Sequence, residues 1–145
     1  MERPLMMVIK DTHKLWADYM KSFAAEAGVP ESYRMVLTFL LRNPGASQKD
    51  IAEHRRIKTA SVSQIVKEMQ QNGYVKKEAN DQDQRYVKLY LTEKGEACAN
   101  ELRGKILRAD EKITEFLSPE REQELIDAMN ECSCTVKKQA TENNR

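Results

Sequence analysis

Residues 59–78 read TASVSQIVKEMQQNGYVKKE, and the change of period inside that stretch decides the fold. Val62, Ile65, Val66 and Met69 recur at spacings of three and four, which gives a helix one apolar side. Asn72-Gly73 closes that helix, because glycine readily takes the left-handed conformation found just past a helix end. From Tyr74 the spacing changes. Tyr74–Glu78 and Arg85–Leu91 read as two strands, and in the second Val87, Leu89 and Leu91 alternate with Tyr86, Lys88 and Tyr90. The polar, turn-rich run 79–84 joins them. A helix over 59–72 followed at once by a β-hairpin is the expectation.

Working outward, Ser47 suits the N-cap of a short helix, with Asp50 at its third position and Ile51 and Ala52 facing inward. Upstream, Pro30 fits the first position of a helix running to Arg42, whose apolar face is Tyr33, Val36, Leu37, Leu40 and Leu41. Asn43-Pro44-Gly45 stops it. Residues 5–27 read as an amphipathic helix through Val8, Thr12, Trp16, Tyr19, Met20, Phe23 and Ala27, ended by Gly28. Downstream, Thr92 caps a long helix to about Leu117. Ser118-Pro119 then starts a last helix with Leu125, Ile126, Met129 and Cys132 on one stripe, before a polar tail over 140–145. The fold class expected is mostly α with a small β-hairpin wing: a winged helix-turn-helix of about six helices in a single domain. Residues 30–92 would form the winged-helix core, and 1–29 with 93–145 the dimerisation helices.

Composition excludes several classes. The chain has 145 residues, 40% hydrophobic and 32% charged, which suits a globular protein with a real core. No apolar run approaches the roughly 18 residues of a membrane span, and the short run Leu5–Ile9 lacks the marks of a signal peptide. A cytoplasmic protein is expected. Three cysteines are too few, and odd in number, for a secreted disulfide framework. With two histidines and no metal-ligand spacing, no metal or cofactor is expected. No phosphate loop or nucleophile motif points to an enzyme. Charge is uneven: residues 42–94 hold eleven Lys/Arg against seven Asp/Glu, while the flanks are acidic. A basic middle fits a nucleic-acid surface set between scaffolding elements.

In a helix-turn-helix the second short helix enters the major groove while the first braces it. The outward residues Thr59, Ser61, Ser63, Gln64 and Lys67 combine small hydroxyls near the helix N-terminus with an amide and a cation. Gln64 suits an adenine edge, and Ser or Thr suits several bases. Arg85, oriented by Asp83, would reach a narrow minor groove from the hairpin. Lys58, Lys76 and the neighbouring Lys77 would serve phosphates, and Ser47 at its helix start is counted among the DNA-binding residues.

The runs Ser47–Glu53 and Thr59–Val66, Gly73-Tyr74-Val75, and Asp83 to Gly95 with its Leu-Thr-Glu-Lys-Gly exit resemble the MarR family of bacterial regulators. The resemblance covers nearly the whole chain. It implies a winged-helix homodimer assembled from the first and last two helices. It also implies double-stranded DNA with a pseudo-palindromic operator as partner, and repression released by a small ligand or an oxidant. Two departures stand out. Asn80 and Gln82 occupy wing positions where the family often has an acid and a base. Arg56 and Lys58 stand where glycine and a capping Ser or Thr are common, and a lysine cannot cap by accepting a hydrogen bond.

The dimer is also expected from the scaffold, since Trp16, Tyr19, Phe23, Phe116, Leu125 and Met129 exceed what a small wing domain covers. For a small aromatic or phenolic effector, the resemblance points between the first two helices and the fifth, where His13, Trp16, Tyr33 and Arg34 are candidates. The alternative signal is oxidation at Cys98, Cys132 or Cys134. Cys132 and Cys134 lie about 200° apart around a helix, so they cannot readily bond to each other. Cys98, in the second turn of its helix, would have its pKa slightly lowered by the helix dipole. An alternative of another class is a winged-helix protein-interaction module without DNA binding, for which exposed apolar anchors would be expected on the recognition helix.

Overall fold

The computed structural model describes residues 3–79 and 87–142. Over these the elements are α1 (Leu5–Glu26), α2 (Glu31–Arg42), α3 (Gln48–Arg55), α4 (Thr59–Gln71), β1 (Val75–Ala79), β2 (Val87–Leu91), α5 (Glu93–Thr114) and α6 (Pro119–Glu142). The expected winged helix-turn-helix is therefore what forms: six helices and one antiparallel hairpin among the described residues. The chain divides into two units, Met1–Ile106 and Leu107–Arg145, with α5 beginning in the first and ending in the second.

The first unit is built around α2 and α4. Leu37 and Leu40 of α2, Ile51 of α3, Val62, Val66 and Met69 of α4, Val75, Leu89 and Leu102 are all buried. Those on α2 and α4 are apolar positions that the three-and-four spacing selects, and each fully buried aliphatic contributes about 1.5–3 kcal/mol relative to exposure. The hairpin register pairs Val75 with Leu91, Lys77 with Leu89 and Ala79 with Val87, so these six side chains share one face. Only its helix-proximal end is sealed. Val75, Leu89 and Leu91 are buried, whereas Val87 is exposed because the wing projects past the core there. Alternation correctly marked a strand but overstated how much of it lies inside.

A feature with no sequence period adds to the sheet. Gly45 donates its N–H to the Leu89 carbonyl at 2.9 Å, and Leu89 donates to Ala46 at 3.0 Å. The loop between α2 and α3 thus pairs with β2 and sets where α3 begins. Gly45 has φ of 82°, and a Cβ there would stand 3.0 Å from the Tyr90 hydroxyl. Both conformation and space call for glycine.

Helix α1 departs from the expected continuous stripe. Met20, Phe23 and Ala24 are buried, but Val8, Thr12 and Tyr19 are exposed and Trp16 is half-buried. Arg34, a candidate ligand residue, is buried and held by Glu31, with Nε 2.7 Å from Oε2 and a second bond from the guanidinium to Oε1.

In the second unit, α6 runs for 24 residues with no buried position. Phe116, Leu125, Ile126, Met129 and Val136 are exposed. The Ser118-Pro119 start forms as read, with the Arg121 N–H donating to Ser118 Oγ at 3.4 Å. No helix among the described residues is long and apolar enough to cross a membrane.

Candidate nucleic-acid interface

Helix α4 has two unlike sides. Val62, Val66 and Met69 are each 0% exposed, which fixes its rotation about its axis. Thr59, Ala60, Ser61, Ser63, Gln64, Lys67 and Gln71 are exposed. At 100° per residue, Ala60, Gln64, Lys67 and Gln71 run along the centre of the outward face. Sequence reading found five of these exposed residues and missed Ala60 and Gln71, although the spacing i, i+4, i+7, i+11 marks them as members of one stripe. Gln64 is tied down: its Nε2 donates to Glu68 Oε1 at 2.7 Å.

The bracing helix starts with a reciprocal cap. The Asp50 N–H donates to Ser47 Oγ at 3.1 Å, and both the N–H and the hydroxyl of Ser47 donate to Asp50 Oδ2 at 2.7 Å. The donated backbone N–H, then the hydroxyl, holds the Asp50 carboxyl below its ordinary pKa. These bonds engage Ser47, a DNA-binding candidate, within its own helix start.

Between the helices, Arg56 sits at φ 54° and ψ 43°, the left-handed end of α3. Glycine is at ease in that conformation, and a side chain there costs roughly 1–2 kcal/mol. Its N–H donates to Glu53 and that of Ile57 to Ala52. Lys58 then takes the N-cap of α4 in extended conformation with no side-chain cap, as its chemistry dictates. Its exposed amine is left for solvent or phosphate.

The hairpin is locked to the end of α4. Thr92 Oγ1 donates to the Gly73 carbonyl at 2.6 Å and accepts the Gly95 N–H at 3.1 Å. Lys94 donates to the Asn72 carbonyl at 2.9 Å with its amine 4.2 Å from the Tyr74 ring centre. A Cβ on Gly95 would stand 2.1 Å from the Tyr74 carbonyl oxygen, so only glycine permits this approach. Residues of the Leu-Thr-Glu-Lys-Gly exit thus fasten the wing relative to α4. On the wing, Lys76 is exposed, 3.1 Å from Glu78 and over Tyr90 at 5.9 Å. An exposed pair of this kind holds its lysine weakly. Arg85 and Asp83, with Asn80 and Gln82, lie outside the described residues.

The candidate ligand residues lie on the first two helices, His13 and Trp16 on α1 and Tyr33 and Arg34 on α2. Tyr33 is buried and its hydroxyl accepts from Asn72 Nδ2 at 2.9 Å. Arg34 is engaged by Glu31, while His13 is exposed on α1 and Trp16 packs edge-on to Tyr19. A groove of about 230 Å³ opens elsewhere, lined by Met35, Phe39, Arg42, His54, Arg55 and Ile106 among others. Burial, and secondly the Arg34 charge, press the Arg55 guanidinium below its ordinary pKa. Sequence spacing could have found the α2 part, since 35, 38, 39 and 42 share one side of that helix. Its meeting with the end of α3 and with α5 has no local signal.

All three cysteines are free thiols. Burial, with Glu101 adding, pushes the Cys98 thiol up, opposite to the slight lowering expected from the helix dipole. Desolvation outweighs a second-turn dipole here. Among the described residues no group of His, Cys, Asp or Glu is arranged to hold a metal.

Residues 27–85 match the model of the MarR family. The chain is 23% identical over 107 residues to the HTH-type transcriptional regulator BilQ of Clostridium symbiosum, covering 74% of each. It is similar in fold to a crystallised MarR family transcription regulator, with a TM-score of 0.84, 20% identity, and 94% and 93% of the two chains covered. It also resembles a Staphylococcus aureus MepR mutant bound to an oligodeoxyribonucleotide (TM-score 0.61, 14% identity, 93% and 99% covered). A Mycobacterium tuberculosis MarR family protein in complex with salicylic acid is likewise similar (TM-score 0.69, 18% identity, 90% and 97% covered).

Proposed function

We propose that this chain is a MarR-family transcriptional regulator, on the match of residues 27–85 to that family's model, and that it is a homodimeric repressor that binds a pseudo-palindromic operator in double-stranded DNA. The observation that carries the reading is the two-sidedness of α4. Its inner side is sealed by Val62, Val66 and Met69, while small hydroxyls, Ala60, Gln64 and Lys67 face out. Such a face admits close approach to base edges. It lacks the aromatic and aliphatic anchors of a protein-docking helix, which disfavours the interaction-module alternative.

The roles divide by place. Thr59, Ser61, Ser63, Gln64 and Lys67 contact the major groove, Lys58 and Lys76 the phosphates, and Arg85, oriented by Asp83, the minor groove. Ser47 acts by fixing the start of the bracing helix. Residues 30–92 serve as the DNA-binding core, and residues 1–29 and 93–145 as the dimerisation helices within one MarR-like domain. Support for the second role is the exposed apolar stripe of α6 and the exposed first half of α1. Two-fold symmetry then sets two α4 helices about 34 Å apart, one turn of DNA.

Release by a small aromatic or phenolic acid is the proposed signal. The groove beside Phe39, Arg42, His54 and Arg55 supports it, because it joins apolar walls to the Arg42 and Arg55 guanidiniums, next to the turn that leads into α4. Oxidant sensing through Cys98 is disfavoured by the raised thiol pKa, since the thiolate is the reactive form.

The test is selection of genomic fragments by purified protein at about 150 mM salt, where phosphate-only binding is weak. A recovered pseudo-palindrome with half-sites one turn apart is the expected result. Recovery of no enriched sequence would contradict the specific-regulator reading.

A further inference from the structure

We infer that Glu68 is a positioning residue for base recognition, holding the Gln64 amide in the orientation that accepts adenine and rejects guanine. The inference rests on α4 being the recognition helix, as proposed above.

Gln64 lies at the centre of the outward face, and Glu68 stands one turn further along, about 40° to its side. The bond between them is 2.7 Å, from Gln64 Nε2 to Glu68 Oε1. A glutamine amide has two N–H donors and a carbonyl acceptor, whereas an ionised carboxylate only accepts. The NH₂ end of Gln64 must therefore point toward Glu68. Turning the amide over would set its carbonyl oxygen against the carboxylate. One N–H is consumed by Glu68, and the other stays free beside the amide oxygen. That free donor–acceptor edge matches adenine, which offers N7 as acceptor and its N6 amino group as donor in the major groove. Guanine offers two acceptors, N7 and O6, so the fixed carbonyl would face O6 with like polarity. Without Glu68 the amide is free to swing its NH₂ end toward those acceptors, and the preference relaxes.

The surroundings of Glu68 agree. Among the described residues no Lys or Arg lies within ion-pair distance of its carboxylate. A negative charge on a DNA-facing helix lowers affinity for every sequence. Its benefit lies in discrimination at one base, where the fixed amide opposes the wrong partner.

The test uses the full-length protein and the operator recovered by genomic selection, with each A·T pair under α4 changed in turn to G·C. Competition anisotropy at about 150 mM salt compares the wild type with Gln64→Ala, Glu68→Ala, Glu68→Gln and the Gln64→Ala/Glu68→Ala double variant. The wild type prefers adenine at one position by roughly 5- to 100-fold, the range of a good bidentate contact. Glu68→Ala loses most of that preference yet binds random DNA as tightly as the wild type or more so. Glu68→Gln, which keeps an acceptor oxygen, retains more of it. The double variant is no less selective than Gln64→Ala alone. Alanine favours an exposed helix position, so the fold is kept. Undiminished adenine preference in Glu68→Ala would overturn the inference, and so would equal loss of specific and random binding. A wild type that binds no sequence selectively fails the DNA reading itself, before any variant is compared.

Discussion

Helices α4 and α6 are both amphipathic, and they meet opposite fates. In α4 the apolar positions Val62, Val66 and Met69 are wholly covered by the rest of the first unit. In α6 the comparable positions Leu125, Ile126 and Met129 stay exposed, and Leu125 is 52% accessible. The same three-and-four spacing thus goes with two different surroundings. For α4 the partner is the chain's own core. For α6 a second copy of the chain is the proposed cover.

The sharpest way to break this comparison is to shorten a leucine in each region. Leu102→Ala, at a fully buried site, is expected to cost about 2–5 kcal/mol in denaturant unfolding, at any protein concentration. Leu125→Ala is expected to lower the melting temperature in a way that depends on protein concentration, because a dimer's stability is linked to association. A Leu125→Ala effect independent of concentration would remove the second copy from the account.

Next in size is the fastening of the wing. Gly95→Ala is expected to cost roughly 1–3 kcal/mol, since its Cβ would meet a backbone carbonyl that cannot swing aside. The measurement is urea unfolding followed by circular dichroism.

Smaller is the cap on α3. Ser47→Ala is expected to cost about 1 kcal/mol at neutral pH. Because the folded Asp50 pKa lies below its ordinary value, the cap's contribution is complete above pH of about 4 and fades as pH falls through the folded value. In Ser47→Ala the Asp50 carboxyl should titrate closer to its ordinary value, which carboxyl-detected NMR reads directly. An unchanged titration would show that the Ser47 hydroxyl does not contribute to holding it.

Smallest, and opposite in sign, is Arg56→Gly. Relief of the left-handed conformation is offset by the freedom glycine gains in the unfolded chain, leaving a gain of about 1 kcal/mol or less. For a chain of this size that raises the melting temperature by roughly 2–4 °C at most. A fall would show that the turn is not strained by its arginine.

The contrast between the helices also explains what the sequence made legible. Repeating features were readable: the stripe of α4, the strand period after Tyr74, and the caps at Ser47, Thr92 and Ser118. Each is set by neighbours within a turn or two. The pairing of Gly45 and Ala46 with Leu89 involves only a few backbone groups and leaves no period. The bond from Asn72 to Tyr33 joins residues far apart in the chain, so it too leaves no local signal. The bond from Arg34, a ligand candidate, to Glu31 three residues earlier is within reach of local spacing but needed the side chains to be seen. At the interface, Ser63 and Gln64 were legible from their place opposite the apolar stripe, while the Gln64–Glu68 bond required side-chain geometry.

The central claim is that paired α4 helices read one face of an operator, and hydroxyl-radical footprinting on the selected fragment tests it most directly. Two protected patches, related by symmetry and centred one helical turn apart, are the result the account predicts. A single protected patch, or uniform protection along the fragment, would contradict it.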